Sequence, residues 1–235
     1  MKTIKKYSLS LHDLRVSWNE ETVKKIKYVM DLFEVPLTVH LVFDIPLSQD
    51  SVLSDFILQN LKDQKIEIVF HGLTHKCSRE VSKLLAFYHK YQAEYLDDSD
   101  ELREKTQKML YNTIYFLRMN IGICPPCWIA HKKNTYFFKT LKPLYIESLL
   151  SIFYSGTKIF SPVISLGSPN KCELYFLKIL ARSIHILSII SGNSNLRVAI
   201  HDCDLDKKNS IKFFSGIIGS FKARKFQPVL LKNLD

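Results

Sequence analysis

The chain has 235 residues, a formal charge of +10 and 46% hydrophobic residues, which suits one enzyme-sized domain, 1–235, with a substantial core. Its five cysteines are odd in number and lack framework spacing, which argues against a disulfide scaffold and for free thiols in a reducing compartment. The greasiest run, Ile184 to Ile190, is interrupted by His185 and falls far short of the roughly 18 residues a membrane span requires.

In chain order, strands alternate with helices. Tyr7 to Leu11 reads as a first strand. Asn19 can cap a helix running to about Glu34, with Glu20 and Glu21 placed favourably against its dipole. Leu37 to Phe43 is a second strand, Val52 to Leu61 a helix, and Ile66 to Phe70 a third strand. Asp98 and Glu101 form a capping box for a helix with Leu102, Thr106, Met109, Leu110, Thr113 and Leu117 on one face. Strands are expected at Tyr145–Ser148 and Phe160–Leu166, a long apolar helix from about Glu173 to Ile190, and a strand at Leu196–Ile200. A last helix leads to Gln227–Leu231. Such alternation, with near-continuously apolar strands, predicts a parallel sheet covered on both faces.

Lysines are spread in small groups and no nucleic-acid motif accompanies them, so the charge reads first as a generic basic surface. An acidic glycan or a phosphorylated sugar is the alternative; nucleic acid is not an expected partner.

Three strands end in metal-ligand or acid–base chemistry. The first stops at His12-Asp13, the third at His71-Gly72-Leu73-Thr74-His75, and the strand Leu196–Ile200 at His201-Asp202. Two imidazoles four residues apart can reach one zinc at about 2.0–2.1 Å, and Gly72 permits a sharp turn between them. The spacing alone is weak; Asp13 supplies the third ligand of an Asp–His–His set that leaves one position open. The plain alternatives are strand-end capping for the histidine pair, and turn capping for Asp13 and for Ile200-His201-Asp202. Cys124-Pro125-Pro126-Cys127 reads poorly as a redox pair, because it lies mid-chain rather than opening a helix after an early strand. His40, His89, His131 and His185 join no constellation and read as structural or surface residues.

Ser10-Leu11-His12-Asp13, His71 to His75, Ala93-Glu94-Tyr95-Leu96, Cys124-Pro125-Pro126-Cys127-Trp128 and Arg197 to Asp202 follow one another in an order that resembles the polysaccharide deacetylases of carbohydrate esterase family 4. The likeness is greater to a branch whose members begin with a Ser-x-His-Asp segment. The resemblance implies an irregular (β/α)7 barrel with its chemistry at the carboxyl ends of the strands. It also implies Asp13, His71 and His75 as metal ligands, His201 as the acid that protonates the leaving amine, and Trp128, beside Pro126, as a wall of the substrate pocket.

The chain departs from the better-studied deacetylases in three places. His12 stands where they carry an aspartate base, Cys124-Pro125-Pro126 where they carry an arginine that pairs with that base, and their aspartate–tryptophan motif has no match around Ser161–Ser165. His12 is then the candidate base, since an unperturbed imidazole titrates near 6.5. Glu94 is a second candidate base or a support behind the ligands, and Asp202 could fix the tautomer of His201.

The expected activity is metal-assisted hydrolysis of an amide, with an N-acetylated sugar or a related small amide as substrate. Zn2+ is the default ion, and mixed nitrogen–oxygen ligation also accepts Co2+, Ni2+, Mn2+ or Fe2+. The alternative is a catalytically impaired barrel that binds a glycan or a protein. A signal cleaved from the N-terminus would take the candidate ligands with it, so a cytoplasmic location is expected.

Overall fold

The computed structural model describes residues 4–48, 51–74, 94–96, 99–126, 130–154, 157–167 and 171–234. Its strands are β1 (Lys6–Arg15), β2 (Leu37–Val42), β3 (Ile66–Phe70), β4 (Gly122–Ile123), β5 (Tyr145–Glu147), β6 (Ser151–Tyr154), β7 (Thr157–Phe160), β8 (Val163–Ser165), β9 (Asn195–His201) and β10 (Gln227–Pro228). The helices are α1 (Asn19–Phe33), α2 (Val52–Lys62), α3 (Asp100–Leu117), α4 (Lys132–Thr140), α5 (Lys171–Ile190), α6 (Asp202–Leu205) and α7 (Lys208–Ala223).

One sheet runs in the order β7-β6-β5-β4-β3-β2-β1-β9-β8, and β10 pairs with the start of β1. Among the described residues, β1 to β5, β8, β9 and the two-residue β10 are mutually parallel, eight strands in all. β6 and β7 extend β5 as an antiparallel hairpin. The sheet curls until its two halves meet: Ser161 and Val163, at the β8 end, donate backbone N–H bonds to the carbonyls of Leu150 and Leu149 beside β6. This is the irregular parallel barrel that the motifs imply.

Side chains in the barrel strands alternate with period two, as the pleat requires. One set (Leu9 and Leu11, Leu37, Val39 and Leu41, Ile66, Ile68 and Phe70, Leu196, Val198 and Ile200) is buried in the main apolar cluster together with helical residues such as Ile26, Val29, Ile57, Leu110 and Phe214. The opposite set (Ser8, Ser10 and His12; Thr38 and His40; Glu67 and His71; Arg197 and His201) is buried and polar. The strands are therefore not apolar on both faces as expected; the barrel wall is apolar outside and polar inside. Below the site the interior holds a small cluster of Val69, Cys124, Tyr145, Ile152, Leu231 and Leu234. The last two come from a C-terminal 3-10 turn, Leu231–Asn233, that plugs the amino-terminal end of the barrel. Leu231 N donates to Thr38 Oγ1 at 3.2 Å, and Lys232 N to Glu67 Oε2 at 3.2 Å.

Local signals mostly hold, with four corrections. Asn19 is the first residue of α1 rather than its cap, and its Oδ1 accepts from Leu53 N at the start of α2 at 2.8 Å. The cap of α3 is Ser99, whose hydroxyl accepts from Leu102 N; Asp98 lies outside the described residues. Phe160–Leu166 is two elements, because Pro162 cannot donate to a ladder and the chain changes partner there. The β6–β7 hairpin and α4 were not anticipated; α4 is short and polar, with only Asn134 and Phe138 buried. Among the described residues, no helix is long and apolar enough to cross a membrane.

Candidate active site

Four imidazoles from four strands converge inside the carboxyl-terminal mouth of the barrel. The His12 ring stacks on His40 with centroids 3.7 Å apart and planes 13° from parallel. His71 stands edge-on to both, at 5.0 and 5.4 Å, and His201 lies 5.1 Å from His12, its register partner across β1 and β9. His40, expected from sequence to be structural or surface, is fully buried and joins the cluster through His12 and His71.

A defect in β1 turns two successive residues, His12 and Asp13, toward the same site. Alternation would send Asp13 to the face opposite His12, but the β1–β2 register slips between Leu11 and Leu14 and Asp13 adopts φ 68°. Such bulges re-aim side chains at strand ends, and Asp tolerates left-handed φ better than most residues. Asp13 Oδ1 consequently lies 3.3 Å from His71 Nε2. The other nitrogen of His71, Nδ1, bonds the carbonyl of Cys124 at 2.7 Å. A backbone acceptor on one ring nitrogen presents the other as a lone pair, which is the tautomer a metal ligand requires.

Asp13 and His71 thus fit two positions of the expected metal set; His75 lies outside the described residues. His12, His40 and Cys124 also bring potential ligand atoms within 4.8 Å of one another. Their stacking argues against shared ligation, because in-plane lone pairs of near-parallel rings run side by side. One ion at about 2.0–2.1 Å from both nitrogens would require the rings to tilt apart.

Glu94 holds the turn after β3 in place. Its carboxylate accepts from Leu73 N at 3.0 Å and from Thr74 N at 3.1 Å. Gly72, at φ +88°, lies so close that a Cβ would sit 2.5 Å from Glu94 Oε2 and 3.0 Å from Pro126 Cγ. Pro126 and Glu94 therefore wall the His71 turn. Trp128 and Cys127 lie outside the described residues.

His201 is held from two sides. Its backbone N–H donates to Asp204 Oδ2 at 3.1 Å, and its Nδ1 faces the same oxygen at 3.7 Å and Ser165 Oγ at 3.4 Å. Gly167 backs the ring, and a Cβ there would fall 2.7 Å from it. The sequence reading gave the supporting role to Asp202; that carboxylate instead forms a 2.6 Å ion pair with Lys25 on α1, and Asp204, three residues beyond His201, meets the imidazole. A residue three positions on, after a strand gives way to the short helix α6, was the available signal.

Charge is distributed unevenly over the cluster. Burial, then the neighbouring His40, His71, His201 and Arg197, pushes the pKa of His12 well below the usual histidine value. Burial also lowers His40, outweighing Glu147. For His201 burial acts the same way, but the Asp13 and Asp204 carboxylates overcome it and leave the pKa raised. His12 Nε2 bonds Ser10 Oγ at 2.9 Å. Beneath the rings, His40 Nε2 meets Glu147 Oε1 at 2.6 Å, and Glu147 Oε2 accepts from Arg197 at 2.9 Å. The buried Arg197 guanidinium is completed by the carbonyls of Ser161, Ser148 and Leu149. Glu147 had no motif to announce it, and Arg197, though it opens the last motif, had no role assigned to it.

No family model and no curated protein sequence matches the chain. Solved structures do. A family 4 acetyl xylan esterase from Clostridium thermocellum, in complex with a cobalt ion, aligns with 98% of this chain and 90% of its own at TM-score 0.57 and 12% identity. An allantoinase aligns with 98% of this chain and 89% of its own at TM-score 0.56 and 10% identity. A carbohydrate esterase family 4 pseudoenzyme from Bacillus anthracis aligns over the whole chain at TM-score 0.52 and 14% identity, and the chain spans 66% of that protein's length. The expected fold is borne out: the chain has the barrel fold of the polysaccharide deacetylases.

Proposed function

We propose that the protein is a metal-dependent hydrolase of a non-peptide carbon–nitrogen bond, removing an acetyl group from an N-acetylated sugar or a related small amide. The observation that carries this reading is the approach of Asp13 Oδ1 to His71 Nε2, 3.3 Å apart, at the rim that also holds His201.

Asp13, His71 and His75 would hold the ion, zinc by default. When bound, a divalent cation supplies polarisation of the substrate carbonyl and acidifies a water from about 15.7 toward about 7. The chain's own residues do the rest. His201, which faces the Asp204 carboxylate, would give a proton to the departing nitrogen. Ser165 and Gly167 fix the angle of its ring. His12, neutral and oriented by Ser10, is the group that can take up a proton. Glu94 keeps the His71 turn in shape through two backbone N–H bonds. Pro126 and Trp128 would line the acyl or sugar pocket.

One observation favours a second reading. His12 is fully buried and its depressed pKa makes it a weak base, and no carboxylate stands in its place. A barrel that keeps the cluster but binds a glycan or a protein without turning it over is consistent with that. The deciding experiment is acetate release from N-acetylglucosamine oligomers by zinc- or cobalt-loaded protein, with His71→Ala and His201→Ala as controls. Release abolished by both substitutions supports the hydrolase. Metal bound at about one ion per chain with no release from any N-acetylated sugar supports the binding module.

A further inference from the structure

Helix α5 carries apolar side chains on two sides, and among the described residues only one of them is covered. Leu174, Leu177, Ala181 and Ile184 pack on the barrel. The other side exposes Phe176, Ile179, Leu180, Ile186, Leu187 and Ile190, with Phe176 65%, Leu187 64% and Ile190 76% accessible. A surface helix normally shows one apolar stripe toward the core and polar residues opposite, so a second apolar stripe calls for a cover of its own.

The exposed side has an internal symmetry. Phe176 and Ile190 lie seven residues either side of Ser183, Ile179 and Leu187 four, and Leu180 and Ile186 three. At 100° per residue all six point within about 60° of the Ser183 direction, forming one stripe that reads the same in both chain directions. Ser183 is small and exposed, and its hydroxyl is bonded to its own helix at Ile179 O, 3.0 Å away, so it leaves no polar demand at the centre. The nearest cation, Arg182, leans away over the Phe213 ring of α7.

We infer that this stripe seats the same stripe of a second copy of the chain, the two α5 helices packing antiparallel about a two-fold axis at Ser183. A two-fold interface must be self-complementary, residue against mirror residue, and a stripe palindromic about a small residue meets that condition. Phe176 of each copy would meet Ile190 of the other, and Ile179 would meet Leu187. The six side chains, with Tyr175 at the margin, offer roughly 750 Å² of apolar surface per copy, against about 800 Å² per partner in a stable interface. The association is independent of the active-site reading, since the stripe lies on the outside of the barrel.

Sedimentation equilibrium of the full chain tests the stoichiometry, and cross-linking tests the geometry. We expect a dimer that Ile179→Glu and Leu187→Glu each weaken at least tenfold, both at exposed positions that leave folding intact. Ser183→Cys should give a disulfide-linked dimer under mild oxidation, beyond any from the native cysteines, because antiparallel helices 8–10 Å apart bring axis residues within disulfide reach. A monomer at all concentrations overturns the proposal. So does a dimer indifferent to both glutamate variants and without the Ser183→Cys cross-link. Binding to phosphatidylglycerol vesicles that the same glutamates abolish, with the protein monomeric in solution, overturns it in favour of a membrane surface.

Discussion

The imidazole of His12 lies flat on that of His40, 3.7 Å away, and behind His40 stand Glu147 and then Arg197. At the end of β1 the His12 ring is thus supported by another ring, and Arg197 stands behind it through His40 and Glu147. Burial lowers the pKa of both imidazoles, and a charge on one ring further disfavours a charge on the other at that distance. Deeper in the barrel Glu147 and Arg197 satisfy each other at 2.9 Å.

That deeper pair makes the first prediction. Arg197 and Glu147 are both about 2% exposed or less, so removing one leaves an uncompensated buried charge. Glu147→Ala should cost about 3–5 kcal/mol of unfolding free energy, and also free His40 from its acceptor. Urea unfolding of the variant reads this directly. A loss under about 1 kcal/mol would show that water or backbone can replace the carboxylate.

The Asp13–His71 contact makes the second. If these residues hold an ion, zinc at about one hundred times its dissociation constant raises wild-type stability by about 2.7 kcal/mol. Asp13→Ala and His71→Ala should lose most of that increment while folding normally in a chelator. An equal increment in wild type and both variants would place the ion elsewhere, with His12, His40 and Cys124 as the first group to substitute.

Gly167 makes the third. At φ +44°, with a Cβ that would meet the His201 ring at 2.7 Å, it cannot become alanine without moving that ring. Left-handed strain costs about 1–2 kcal/mol, visible as a modest fall in Tm. Displacement of a working His201 by about an ångström can cost about a hundredfold in kcat. Turnover falling far more than stability is the expected outcome; turnover that merely tracks the folded fraction would remove His201 from the reaction.

Much of this architecture is legible in the chain, and the lapses have physical causes. Strand positions follow from short apolar runs, and the three motif-bearing strand ends converge as their placement implies. The inward polar stripe is also written there, as Ser8-Leu9-Ser10-Leu11-His12, Thr38-Val39-His40, Glu67-Ile68 and Arg197-Val198. Period-two alternation in a parallel barrel marks an interior that is polar, and His40 sits in phase with it. Reading those runs as continuously apolar hid the alternation and with it the fourth histidine. Glu147, by contrast, belongs to a three-residue strand 107 positions from His40, and only tertiary closure brings them together. Asp204 was missed for a local reason: the chain turns into α6 directly after His201, which swings the third residue, not the first, back onto the imidazole.

Glu67 makes the last prediction, one about pH. It is almost wholly buried near the plugged end of the barrel, and burial, opposed by Thr38, Lys232 N and Tyr145, pushes its pKa up to about 7 from 4.5. The sign follows from comparing the two states. Below about pH 4.5 the carboxyl is protonated whether the chain is folded or not, and folding carries no proton-linked cost. Between 4.5 and 7 the unfolded chain ionises while the folded one resists, so stability falls as pH rises; above about 7 the cost is complete, at about 3 kcal/mol. Glu67→Gln keeps an acceptor for Thr38 Oγ1, 2.7 Å away, and for Lys232 N, but removes the titration. Thermal unfolding of wild type and variant at pH 5 and pH 8 isolates the effect from the other carboxylates. The variant should gain on the wild type as pH rises across that window. A gap that is constant, or that closes toward pH 8, would mean that the C-terminal turn and Tyr145 stabilise the charged carboxylate after all, and that the plug is held by a charge-assisted bond.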